Sequence, residues 1–123
     1  MSPSEIHRYL TARDIRALAE IHGVTPSKSR GQNFLFDANT IRKIVQTAGV
    51  RDNDHVFEVG PGFGSLTVGL LDAGARVTSI EVDERLVTAT RQVVTERFPQ
   101  AACEVIHADA LQMATIDPDI THL

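Results

Sequence analysis

Residues 58–64 read EVGPGFG, an acid followed by glycines on alternate positions. Glycine lacks a Cβ atom, so a backbone with this spacing can turn sharply and approach a ligand closely. Where such a turn leads from a strand into a helix, the unpaired N–H groups of the first helical turn can bind a carboxylate or a phosphate. The segment therefore predicts a ligand-binding turn. The alternative is a tight strand-to-helix connection without a ligand.

Two acids downstream extend this candidate site. Glu81 follows Gly60 by 21 residues, close to the spacing at which a Rossmann unit uses an acid to accept hydrogen bonds from ribose hydroxyls. Asp109 follows a later β-prone run, and a carboxylate there can accept a hydrogen bond from the exocyclic amine of adenine. Taken separately, Glu81 could be a solvated acid at a strand end and Asp109 a helix cap. Their coincidence with the glycine turn favours a nucleoside site.

The glycine spacing discriminates between nucleoside cofactors. A dinucleotide fingerprint reads G-x-G-x-x-G or G-x-G-x-x-A, whereas here Gly64 comes one residue early and Ser65 takes the last position. An acid just ahead of glycines two apart is the pattern of enzymes that use S-adenosylmethionine, and we expect Glu58 to organise the turn rather than to catalyse. The residues expected to contact this cofactor are Gly60, Gly62, Glu81 and Asp109.

The elements around these residues alternate between strands and helices. The β-prone runs lie at residues 55–59, 76–82 and 103–107, and helical periodicity follows the first two runs at 65–73 and 83–97. This order is typical of parallel βαβ units. The sequence therefore predicts an α/β, Rossmann-like fold, with a parallel sheet and helices on both faces, truncated after about three βα units.

Two further helices are expected ahead of the sheet. Thr11 and Asp14 form a helix-opening pattern, and Gly23 ends this first helix. Asp37 opens the second helix, which ends at Gly49. The apolar face expected for the second helix consists of Ile41, Ile44, Val45 and Ala48.

Composition and charge narrow the partners and the compartment. The chain has a single cysteine, Cys103, which excludes an internal disulfide and favours a reducing cytoplasm. No apolar run is long enough to span a bilayer, and the histidines show no metal-ligand spacing, so we expect neither a membrane nor a metal as partner. The net charge is −4, but eight of the twelve lysines and arginines lie in residues 1–51, where any polyanion would have to bind.

Residues 28–35 read KSRGQNFL and place cations beside apolar side chains. Lys28 and Arg30 could hold phosphate oxygens of RNA, while Phe34 and Leu35 would supply an apolar cover. The alternative is a solvated loop that buries one aromatic side chain for anchorage.

Three segments resemble the ribosomal RNA adenine dimethyltransferases that modify small-subunit RNA. They are residues 31–35 (GQNFL), 58–67 (EVGPGFGSLT) and 80–83 (IEVD), in the order and spacing of that family. The resemblance implies that Asn33 and Leu35 close over the methionine end of S-adenosylmethionine. It implies that Glu81 holds the ribose and that Asp109 reads the adenine. The implied reaction is dimethylation of N6 on two adjacent adenines in ribosomal RNA of the small ribosomal subunit, during ribosome biogenesis.

The resemblance also indicates which part of the family pattern the 123 residues contain. The family carries an Asn-Leu-Pro-Tyr motif at the end of the fourth strand, where the target adenine is held, and this motif does not occur in the sequence. We therefore expect residues 1–25 to form an N-terminal helical extension and residues 26–123 the N-terminal half of the methyltransferase domain. We expect the chain to contain no catalytic residue and to be inactive alone. An uncovered sheet edge would favour self-association.

Alternative functions stay open at this point. The macrolide-resistance methyltransferases, which act on large-subunit RNA, share much of the pattern, although Gly-Pro-Gly is closer to the small-subunit group. A methyltransferase for proteins or small molecules would share the cofactor half alone. A non-catalytic nucleoside-binding module that docks on RNA is a further alternative, and a dehydrogenase is disfavoured by the glycine spacing.

Overall fold

The computed structural model describes residues 8–25 and 37–112. Its elements, in chain order, are α1 (Ala12–His22), α2 (Ala38–Thr47), β1 (His55–Val59), α3 (Ser65–Asp72), β2 (Arg76–Glu81), α4 (Glu84–Arg97) and β3 (Cys103–His107), followed by a short 3-10 turn at Ala110–Gln112. The strands form a parallel sheet in the order β1-β2-β3. The predicted alternation of strands and helices is confirmed over this part of the chain.

The second strand ends one residue earlier than the sequence pattern predicts. β2 ends at Glu81 instead of Val82, and Val82 is 67% exposed. The chain leaves the sheet here because the Glu81 carboxylate accepts a hydrogen bond from the N–H of Asp83, the residue that caps α4. α3 likewise ends one residue early, with Ala73 as its C-cap.

Side-chain caps set the starts of three helices, as the sequence predicts. Thr11 and Asp14 form a reciprocal capping box at the start of α1, with hydrogen bonds of 2.9 and 3.1 Å. Gly23 ends that helix in the left-handed region, with a φ of 66°. Asp37 accepts a backbone N–H at 2.7 Å in the first turn of α2, and Asp83 caps α4.

An apolar core joins the helices to the sheet. α3 and α4 pack against β2, and α2 packs against α3. The expected face of α2 is wrong at two positions, since Ile44 and Ala48 are exposed while Ile41 and Val45 are buried. α2 packs mainly on one neighbouring helix, so its buried stripe is narrower than its apolar stripe. The core side chains contributed by the sheet and its two following helices include Val56, Val68, Val77, Leu86 and Val93.

The segment that includes α1 is tied to the sheet domain by polar contacts as well as by the core. The Tyr9 hydroxyl donates to Asp72 at the end of α3 over 2.7 Å. Arg97, at the end of α4, donates to the carbonyl of Tyr9 at 2.8 Å and pairs with Asp14 at 3.3 Å. The buried residues of α1 belong to the same core cluster. The division of the chain at residue 25 stays a prediction.

The two outer strands leave different edges. The β1–β2 ladder directs the backbone N–H and C=O groups of Phe57 and Val59 away from β2. On the opposite side, the Arg91 guanidinium donates to the carbonyl of Val105 at 3.2 and 2.7 Å and covers part of the outer edge of β3. The groove beside the outer edge of β1 is lined by Ile44, Val50, Leu66 and Leu70.

Candidate functional site

The carboxyl ends of the strands bring the predicted site residues to one edge of the sheet. The N–H of Gly60 donates to the carbonyl of Ile80 at 2.8 Å, which places the glycine turn beside the end of β2. The N–H of Ala108 donates to the carbonyl of Glu81 at 3.1 Å. Gly60, Glu81 and Asp109 therefore lie at neighbouring strand ends, along the edge where open parallel sheets bind ligands.

The turn after β1 uses backbone conformations that favour glycine. Gly60, Gly62 and Gly64 have φ values of 71°, 61° and 97°, in the left-handed region. The N–H of Gly64 donates to the carbonyl of Pro61 at 2.9 Å and closes the turn. A Cβ atom placed on Gly60 would meet no atom of residues 8–25 or 37–112 within 4 Å. The backbone at Gly60 therefore borders open space through which a ligand can approach it.

The buried carboxylate of Glu58 stabilises the elements on either side of the glycine turn and does not face a ligand. Its Oε1 accepts hydrogen bonds from the Thr67 hydroxyl at 2.5 Å and the Ser79 hydroxyl at 2.8 Å, so one buried carboxylate links β1, α3 and β2. Burial raises the pKa of Glu58; the two hydroxyls oppose this shift, and the charge of Glu81 adds to it. The sequence predicted an organising role for Glu58, but it gave no signal for its hydroxyl partners.

Glu81 carries a buried acceptor that no described residue uses. The residue is 3% exposed, and its Oε2 accepts the N–H of Asp83 at 3.0 Å. Its Oε1 is buried and has no hydrogen-bond partner in the part of the chain that the structure describes. A buried acceptor without a partner is costly and rare in folded proteins. A ligand hydroxyl at this position would supply the missing donor, which is the chemistry expected of a ribose.

Asp109 has a local structural role in addition to any ligand role. Its Oδ1 accepts the N–H of Leu111 at 2.9 Å and starts the 3-10 turn. This contact is the capping alternative that the sequence left open. The carboxylate is partly exposed and lies at the correct edge of the sheet, so its contact with a ligand stays a prediction.

Exposed apolar side chains lie at the same strand ends. Val59, Val82 and Leu111 are 63%, 67% and 95% exposed, and they follow or end β1, β2 and β3 in turn. Apolar side chains beside a buried acceptor suit a flat heteroaromatic ring attached to a hydroxylated sugar. Sequence reasoning missed the exposure of Val82 because this residue was expected inside a strand.

The remaining predicted site residues lie outside the described ranges. These residues are Lys28, Arg30, Asn33 and Leu35, and their roles stay predictions. Within residues 8–25 and 37–112, no group of three or more His, Cys, Asp or Glu side chains is arranged to hold a metal ion. In the same ranges, every helix is too short or too polar to cross a membrane.

Comparison with known protein sequences identifies relatives over most of the chain. The family model described as ribosomal RNA adenine dimethylase matches residues 25–121. Ribosomal RNA small subunit methyltransferase A of Leifsonia xyli subsp. xyli is 50% identical over 111 residues, which cover 89% of this chain and 40% of the relative. The protein of the same name from Mycobacterium avium is 44% identical over 116 residues, covering 94% and 34%. The chain therefore spans two-fifths or less of the length of these relatives.

Solved structures share the fold. The 23S rRNA methyltransferase ErmE superposes with a TM-score of 0.56 at 44% identity, over 66% of this chain and 32% of its own. A dimethyladenosine transferase from Plasmodium falciparum gives a TM-score of 0.58 at 28% identity, over 69% and 30%. An RNA methyltransferase from Salinibacter ruber, solved in complex with S-adenosyl-L-homocysteine, gives 0.58 at 23% identity, over 63% and 52%. The predicted Rossmann-like methyltransferase fold is confirmed.

Proposed function

The chain belongs to the ribosomal RNA adenine dimethylase family, and on that basis we propose that it forms the S-adenosylmethionine-binding half of a cytoplasmic ribosomal RNA adenine N6-dimethyltransferase. The observation that carries the proposal is the buried Oε1 of Glu81, which has no partner among the described residues. It lies at the end of the strand that is hydrogen-bonded to the glycine turn. A ribose hydroxyl satisfies this acceptor, and the open backbone at Gly60 admits the ligand.

Some cofactor residues are assigned from their contacts in the structure and others from the family resemblance alone. Glu81 accepts from the ribose hydroxyls, and the turn at Gly60 and Gly62 lets the ligand approach the backbone. Asp109 accepts from the adenine amine with the carboxylate oxygen that does not cap the 3-10 turn. Asn33 and Leu35 enter through the family resemblance alone, as residues that close over the methionine end.

The catalytic demand on this half of the enzyme is alignment. S-adenosylmethionine, when bound, supplies a methyl group on a sulfonium that departs as a neutral thioether. The residues at the strand ends hold the nucleoside so that the methyl group keeps a fixed direction toward the target nitrogen, and such orientation removes an entropic part of the barrier. A target adenine inside a duplex must first be extruded, and Lys28 and Arg30 are the proposed contacts to RNA phosphates.

The proposed substrate is the pair of adjacent adenines in small-subunit ribosomal RNA. The relatives named above as small subunit methyltransferases, at 44% and 50% identity, support it. The 44% identity to the 23S rRNA methyltransferase ErmE favours large-subunit RNA as a second candidate. Joining residues 1–123 to the remaining sequence of the Leifsonia relative and assaying radiolabelled methyl transfer separates the two. Label in small subunits alone supports the proposal, and label in large subunits alone supports the alternative.

We expect the 123-residue polypeptide alone to bind cofactor without transferring methyl groups. The described residues supply acceptors for a nucleoside, and in residues 8–25 and 37–112 the contacts assign no group to a target adenine. Titration calorimetry with S-adenosylhomocysteine and with NAD tests the binding half of the proposal. Heat from the first ligand and none from NAD is the expected result; binding of NAD alone would move the chain to the dehydrogenase alternative.

Self-association of the 123-residue polypeptide is proposed through the outer edge of β1. Phe57 and Val59 direct backbone groups outward there, beside an apolar groove, and such an edge can pair with a second copy. Sedimentation velocity over a range of concentrations tests the proposal. Val59→Lys places a charge on the edge and is expected to shift the polypeptide toward monomer. A wild-type polypeptide that remains monomeric at every concentration would contradict it.

A further inference from the structure

Thr90 contacts the glycine turn from the middle of α4. Its side chain is fully buried, and its hydroxyl donates to the carbonyl of Gly62 at 2.7 Å, across 28 residues of sequence. Thr90 lies outside the three motifs at residues 31–35, 58–67 and 80–83. It therefore links the turn to a helix that the sequence motifs do not include.

The bond is unusual for a threonine inside a helix. Such a hydroxyl ordinarily bonds to the carbonyl four residues earlier in its own helix. Thr88, two residues away and exposed, does so, donating to the carbonyl of Glu84 at 3.1 Å. Thr90 instead directs its hydroxyl to another element, at a position where threonine is a weak helix former. The contrast indicates that the contact of Thr90 with the turn is specific.

The methyl group of Thr90 also limits which residue can occupy position 64. A Cβ atom placed on Gly64 would lie 3.3 Å from Cγ2 of Thr90, closer than ordinary van der Waals contact. Together with the φ of 97° at Gly64, this crowding leaves glycine as the suitable residue at that position. Both branches of the Thr90 side chain therefore restrict the turn, the hydroxyl at Gly62 and the methyl at Gly64.

The hydroxyl contact determines how one peptide group of the turn is oriented. Because a trans peptide is planar, its C=O and N–H point in opposite directions. With the Gly62 carbonyl held toward α4, the N–H of Phe63 points away from α4. The buried Phe63 side chain anchors the same peptide from its other end. Rotation of this peptide would change which backbone groups the turn presents to a ligand.

We propose that Thr90 is a positioning residue for the cofactor, which holds the glycine turn in its ligand-binding conformation before the ligand arrives. This inference rests on the proposed function, since it assumes that the turn contacts S-adenosylmethionine. It adds a residue from α4 to a site otherwise built from strand ends and the turn. The preorganised turn lowers the conformational cost of binding.

Substitutions at Thr90 separate the hydroxyl from the volume of the side chain. Thr90→Val keeps the shape and removes the donor, whereas Thr90→Ser keeps the donor and removes the methyl group. Thr88→Val is the matched control, because it removes a threonine hydroxyl that bonds to a carbonyl of its own helix. The measurement is titration calorimetry of the 123-residue chain with S-adenosylhomocysteine, at a temperature where circular dichroism shows each variant to be folded.

We expect affinity to fall only in the variant that lacks the Thr90 hydroxyl. Thr90→Val should weaken binding about tenfold, because the Gly62 carbonyl loses its buried donor. Thr90→Ser should stay within about threefold of wild type, and Thr88→Val should be unchanged. Equal affinities of Thr90→Val and Thr90→Ser would overturn the proposal. If Thr90→Val does not fold, Thr90→Ala against Thr90→Ser makes the same comparison at equal loss of the methyl group.

A ligand-free readout separates this inference from the proposed function. Backbone amide chemical shifts of residues 62–64, measured without ligand, should differ from wild type more in Thr90→Val than in Thr90→Ser. If wild type fails to bind S-adenosylhomocysteine, the cofactor assignment fails, and these shifts still decide whether Thr90 holds the turn. Shifts at residues 62–64 that are the same in both variants would contradict the positioning role.

Discussion

The two ends of the sheet differ in how their polar groups are satisfied. At the amino ends of the strands, the N–H of Asn53 donates to the carbonyl of Gly74 at 2.9 Å, and the N–H of Arg76 donates to the carbonyl of Asp54 at 2.7 Å. The Asp54 carboxylate accepts the N–H of Arg51 at 2.8 Å. The two loops at the amino ends therefore satisfy their polar groups by hydrogen bonds to each other and within themselves.

At the carboxyl ends, a buried hydrogen-bond acceptor has no donor among the described residues. Glu81 Oε1 is buried without a partner among the described residues, and Val82 and Leu111 are exposed at the same edge of the sheet. The amino end resembles an ordinary turn region, and the carboxyl end resembles a surface completed by a ligand. The direction of the strands, more than residue composition, therefore determines which end of this sheet can bind a ligand.

Two glycines with similar backbone angles illustrate the difference. Gly60 and Gly74 have φ values of 71° and 88°, so both disfavour a side chain. A Cβ atom on Gly74 would meet the Asp52 side chain, whereas one on Gly60 would meet no atom of the described residues within 4 Å. Of these two positions, Gly74 is therefore packed against its own chain, and Gly60 leaves room for a ligand.

The largest expected effect is at Glu81. Glu81→Gln keeps the volume and removes the charge, so affinity for S-adenosylhomocysteine should fall about 10- to 100-fold, the range for a charged hydrogen bond. The free energy of unfolding should stay equal or rise, because a buried charge without a full set of partners is removed. Calorimetry and urea unfolding measure the two quantities. Asp54→Asn, at the amino end, is the matched control: it keeps an oxygen that can accept the N–H of Arg51, and affinity for S-adenosylhomocysteine should be unchanged.

The glycine pair provides the next test. Gly74→Ala should destabilise the fold by about 1–2 kcal/mol because its backbone is left-handed, and the exposed Asp52 side chain has to move to admit the methyl group. Gly60→Ala should carry the backbone cost without a clash, and its methyl group should reduce ligand affinity about tenfold. Urea unfolding and calorimetry on both variants measure the effects. Equal loss of affinity in the two variants would remove the distinction between the ends.

The pH dependence of stability tests the buried carboxylate beneath the turn. Burial raises the pKa of Glu58 above its ordinary value of 4.5, so the folded state binds its proton more tightly than the unfolded state does. This contribution to stability is complete below the unfolded pKa and is lost as the pH rises through the folded pKa. Glu58→Gln cannot ionise, so its stability should fall less over that window. Parallel urea-unfolding profiles against pH for the variant and wild type would contradict the expectation.

The smallest effect is expected at Asp109. Asp109→Asn keeps an oxygen that can cap the N–H of Leu111, so the fold should be nearly unchanged. It replaces a carboxylate acceptor for the adenine amine with an amide, and affinity should fall about threefold to tenfold. Calorimetry with S-adenosylhomocysteine and with S-inosylhomocysteine, which lacks the amine, measures it. If Asp109 reads the amine, the variant should discriminate less between the two ligands.

The sequence predicts the elements well because their ends carry local signals. Thr11 and Asp37 cap their helices as expected, and the first and third strands have the predicted bounds. The buried face of α2 was predicted less well, because periodicity shows which residues form the apolar stripe but not how much of that stripe the neighbouring helix covers. Ile44 is exposed for this reason.

The site is predictable in outline and not in its supporting contacts. The spacing of Gly60 and Glu81 follows from the repeating βα unit, so their juxtaposition could be predicted. The hydroxyls of Ser79 and Thr90 reach partners 21 and 28 residues away. The first contact depends on the register of β1 and β2 and the second on the docking of α4, and local sequence patterns encode neither. Asp109 stayed ambiguous because a cap and a ligand acceptor use the same residue type at the same place.

The proposed function depends on a nucleoside that completes the hydrogen bonding of Glu81 at the carboxyl end of the sheet. Carbon-13 chemical shifts of the side-chain carboxylates, recorded during titration with S-adenosylhomocysteine, report on this contact. A saturable shift is expected at Glu81, accompanied by amide shifts at Gly60 and Val82, with Asp54 unchanged. Saturable binding that leaves Glu81 unchanged, or that shifts Asp54 instead, would contradict it.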